Sequence, residues 1–192
     1  PAVHDGPIRL FTMGRFPHYD FTSGLWPHMI PRFQQPDHPR AKILERSLLF
    51  ACERLFRQET TIRPLLDSGH IVLAPFFSMA AAVYQSTEGL GDRRIVDIIE
   101  GLLRPADLIV VVRSRPDQAQ ARAVNDFPAS DEYFYCILQH TADFQRAQEF
   151  YDVAVEEYTA RGFAIYIINS ESDEREIDRL CERLFEIVGS ST

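Results

Sequence analysis

The chain has 192 residues, 45% of them hydrophobic, which suits a single domain spanning residues 1–192 with a full core and leaves little room for a second. Its 20 basic and 28 acidic residues give a net charge of −8, which argues against a generic nucleic-acid or anionic-membrane surface. Cys52, Cys136 and Cys181 are far apart and form no C-x-x-C, so neither a disulfide framework nor a zinc site is indicated, and an intracellular, reducing compartment is expected. No run of about 18 apolar residues is present, and the opening PAVHDGPIRLF lacks the regions of a signal peptide, so no membrane insertion is expected. A start at Pro1 fits loss of an initiator Met, removal of a targeting segment, or an upstream piece.

Four short apolar runs read as strands: Ile8–Met13, Ile71–Ala74, Leu108–Val112 and Ala164–Ile168. The last three are continuous, as parallel strands covered on both faces are. After the irregular Pro27–Pro39, a helical pattern runs from Arg40 to Leu66 on Ile43, Leu44, Leu48, Phe50, Ala51 and Leu55, with Gly69 as its stop. Ile95, Ile98, Ile99, Leu102 and Leu103 mark a second helix ended by Pro105. Asn125–Ser130 reads as a loop. A third helix covers Phe144 to Tyr158, with Phe150, Val153, Ala154 and Tyr158 on one side. The last carries Ile177, Leu180, Cys181, Leu184, Phe185 and Val188 at i, i+3, i+4, i+7, i+8 and i+11, behind Ser170 and Ser172 as caps. Strands separated by helices long enough for crossovers predict an α/β fold, a three-layer parallel sheet with helices on both faces.

The chemistry-bearing residues are sparse. A phosphate loop needs glycines whose backbone N–H groups wrap the phosphates and a lysine to reach the outer ones. No Gly is followed by Lys, and Lys42, the only lysine, sits inside a helical pattern. The glycines of TEGLGDRR lack a preceding strand and read as an ordinary loop. His4, His18, His28, His38, His70 and His140 form no i, i+4 pair, so no metal site is expected. Cys52 reads as a packed thiol on the apolar side of its helix. The run ESDEREIDR reads as a solvated helix start that complements the helix dipole.

Several segments in order resemble the thymidylate kinase family of nucleoside monophosphate kinases. GRFP (14–17) is similar to the family's R-F-P after strand two, and SLLFACER (47–54) to its L-L-F-x-x-x-R helix. IRPLLDSGHIVL (62–73) resembles the approach to strand three, and VYQ (83–85) the A-Y-Q beyond it. RPADLIVVV (104–112) resembles strand four, and DFQRAQEFY (143–151) the helix after the lid. The resemblance implies a P-loop fold without its first strand. It also implies a monophosphate pocket with Arg15 and Arg54 toward the phosphate, Phe50 stacked on the base, and Tyr84 or Gln85 near its edge. Read from the residues alone, Arg15 and Arg54 equally serve as ion-pair partners for the excess carboxylates, with Phe50 in the core.

Three departures bear on function. Aligned without a gap, the family's Asp-Arg-Tyr after strand three falls on Pro75, Phe76 and Phe77, which offer no acid and no cation. The lid region from Ala123 to Gln145 contains no Arg or Lys, although phosphoryl transfer rests on positioning and electrostatic stabilisation. The first strand, phosphate loop and first helix have no counterpart in the chain. The expectation is a catalytically inactive domain, a pseudoenzyme with no catalytic residue, metal or cofactor, that serves as a structural or accessory subunit with protein partners. Phe76 and Phe77 are the candidate interface residues. By fold-level analogy a mitochondrial home stands beside a cytosolic one. Two alternatives are a thymidylate kinase whose phosphate loop lies outside this chain, and a non-catalytic module that binds a nucleoside monophosphate weakly. In the family the missing strand lies between the segments matching Ile71–Ala74 and Leu108–Val112. Either those two close up and pair, or another strand fills the slot.

Overall fold

Short apolar runs become strands, and within each of two sheets the second strand runs parallel to the first. In the computed structural model, residues 9–12, 39–75, 77–87, 94, 98, 101–126, 141–171 and 174–190 are described. Contacts divide the chain into two compact units, Pro7–Arg104 and Pro105–Thr192, the latter with Pro1–Gly6.

The first unit holds β1 (Arg9–Thr12), α1 (Pro39–Arg57), a π-helical turn (Gln58–Ile62), α2 (Arg63–Asp67), β2 (His70–Leu73) and α3 (Ser78–Thr87). β1 and β2 pair in parallel from Arg9 opposite His70 to Thr12 opposite Leu73. α1 buries Ile43, Ser47, Ala51 and Arg54, a stripe that Gln58 at the start of the π-helical turn continues at spacings of four, four, three and four residues, and α1 packs on α3. α3 contributes Met79, Ala82 and Val83 to the core. α2 ends at Gly69, where φ is 80° and the N–H donates to Leu66 O at 2.9 Å.

The second unit holds β3 (Ile109–Arg113), α4 (Pro116–Asp126), α5 (Thr141–Ala160), β4 (Ile165–Asn169) and α6 (Glu174–Ser190). β3 and β4 pair in parallel from Ile109 opposite Ile165 to Arg113 opposite Asn169. Arg113 is bound to Asp152, so α5 covers the face carrying Ile109, Val111 and Arg113. Tyr166 OH donates to Glu176 O at 3.5 Å, which sets the first turn of α6 over the opposite face. Tyr158 is buried on α5, its ring 5.0 Å from that of Phe163 and its carbonyl accepting the Phe163 N–H.

The molecule is therefore mixed α/β, with helices and short parallel strands in two small sheets. All four expected strands are present within a residue or two of their expected bounds. Their cover differs from expectation. Leu10 and Phe11 of β1, Leu73 of β2, Val110 and Val112 of β3 and Ile167 of β4 are exposed, because a two-stranded sheet has too little width to be sandwiched along its whole length. The helix expected at Ile95–Leu103 lies mostly outside the described residues, as do GRFP, TEGLG and Cys136. α4 was not expected: Asn125 and Asp126 end a helix rather than begin a loop. Val153 is exposed on α5, where Ala147, Ala154 and Tyr158 form the buried side. Ser170 is no cap, since its N–H donates to Arg113 O and its hydroxyl lies 3.1 Å from that of Ser114, stapling the ends of β3 and β4.

Candidate functional site

α1 carries two of the residues that the sequence singles out. Phe50 and Arg54 lie one helical turn apart, on the side of the helix that also buries Ser47, Ala51 and Gln58. Arg54 is 3% exposed and the adjacent Glu53 is 1% exposed, while Phe50 is half-buried. Charged groups are buried to this degree only where the surrounding structure answers them. A guanidinium one turn from an aromatic ring can hold a phosphate and a base, but at this depth it meets a ligand only if the ligand enters the interior of the unit.

α3 carries Tyr84, which is half-buried, on the helix that packs against α1. Gln85 belongs to the same helix, and its side chain is outside what the structure describes. Arg15 and Phe76 lie outside the described residues. The structure thus brings together the helices bearing Phe50, Arg54 and Tyr84. The turn from β2 into α3 follows Leu73 with Ala74 and Pro75 and reaches Phe77 just before Ser78 opens the helix. Pro75 and Phe77 are half-buried there, and no side chain from Ala74 to Ser78 ionises as an acid or carries a cation.

Cys52 is exposed, against the expectation of a packed thiol. Leu48, Cys52 and Phe56 form a second apolar row at spacing of four, facing away from the Ile43–Gln58 stripe, with Leu48 and Phe56 exposed as well. A helix apolar on two sides gives a periodicity that does not say which side is inside.

Gln58 was not singled out from the sequence. It is buried at the start of the π-helical turn, where its Oε1 accepts the backbone N–H of Arg104 at 2.5 Å and its Nε2 donates to Glu59 Oε1 at 3.1 Å. The signal lay in the run Glu59-Thr60-Thr61-Ile62, whose β-branched residues strain a regular helix just after a polar side chain on the buried stripe. Nothing marked Val110 and Val112 as exposed, since their run reads as a doubly covered strand.

Among the described residues no group of three His, Cys, Asp or Glu side chains could hold a metal ion. Among them, too, no helix is long and apolar enough to cross a membrane. No protein-family model matches the chain, and no curated protein matches it.

Proposed function

We propose that the chain is a catalytically inactive thymidylate-kinase-like domain, a three-layer fold lacking its first strand, that serves as a structural subunit of a larger assembly. The observation that carries this reading is the strand pairing. β1 pairs with β2 and β3 with β4, both in parallel, and the segments that would flank the family's central strand belong to separate sheets. The order within each pair suits such a sheet without its central strand, although the direct pairing of Ile71–Ala74 with Leu108–Val112 that would close the slot does not occur, and no strand fills it, among the described residues. The turn from Ala74 to Ser78 supports the loss of activity, because phosphoryl transfer needs an acid near the metal and a cation on the acceptor where these residues supply neither. Phe77 at that turn is an aromatic anchor of the kind that interfaces use.

A second reading, a non-catalytic module for a nucleoside monophosphate, is favoured by the placement of Phe50 and Arg54 one turn apart on a single helix face. The test of the structural role is the native assembly. A tagged chain expressed at its natural level should elute well above its own 22.1 kDa with other polypeptides at fixed stoichiometry. Elution free of any other polypeptide would remove the subunit role.

A further inference from the structure

We draw no further inference here: the strongest candidate, the apolar side of α6 on which Ile177, Phe185 and Val188 are exposed, carries none, because nothing in the structure shows what covers it.

Discussion

The guanidinium of Arg113, at the last position of β3, donates a hydrogen bond to the carboxylate of Asp152 on α5, 39 residues away. Both side chains are part-exposed, so water screens the pair and its worth is about 0.5–1 kcal/mol. Asp152→Ala should lower the urea-unfolding free energy by about that amount at low salt and by less near 1 M salt, where the screening length falls to about 3 Å. A cost that does not change with salt would mean that Asp152 acts through packing.

Gln58 closes a different connection, accepting the N–H of Arg104 from a buried position. Gln58→Leu keeps the volume and deletes the acceptor, leaving a backbone donor without its partner at a cost of about 1–3 kcal/mol. Urea unfolding measures it. A loss below about 0.5 kcal/mol would show that water reaches the Arg104 amide when the side chain is gone.

Gly69 is held at φ 80° with nothing within 4 Å of where a Cβ would stand. Gly69→Ala should therefore destabilise by about 1–2 kcal/mol through backbone conformation alone. D-alanine introduced there by chemical synthesis should be tolerated, and equal losses for the two enantiomers would point to a clash instead.

The strands were legible because Ile-Val-Leu, Ile-Val-Val-Val and Ile-Tyr-Ile-Ile are β-branched runs bounded by polar residues, a local property. Their partition into two sheets was not, since pairing joins residues such as Arg9 and His70 that no local pattern connects. α4 escaped because its sequence, PDQAQARAVND, signals a helix through Pro at its start and through alanine and glutamine propensity, with almost no apolar stripe. The side of α1 that is buried could not be chosen either, with Leu48, Cys52 and Phe56 as apolar as Ile43 and Ala51 opposite them. Phe50 and Arg54 were visible as a pair through the resemblance alone. The depth of Arg54 depends on what surrounds α1.

That depth makes Arg54 a structural residue in the present account. Millimolar thymidine monophosphate should leave the melting temperature of the wild-type chain unchanged. A rise in the wild type that disappears in Arg54→Lys, which keeps the charge but loses the planar fork, would establish the nucleotide-binding reading. Calorimetry on the same two proteins supplies the affinity.

The central claim is that a kinase-like fold has been kept without its chemistry, and the direct measurement is phosphoryl transfer from ATP to thymidine monophosphate by the purified chain with Mg²⁺, followed by a coupled assay. The account predicts no turnover above background, since the turn from Ala74 to Ser78 supplies neither acid nor cation and the segment from Ala123 to Gln145 supplies no cation for the transfer. Turnover in the range of about 1–100 s⁻¹ typical of kinases would contradict it.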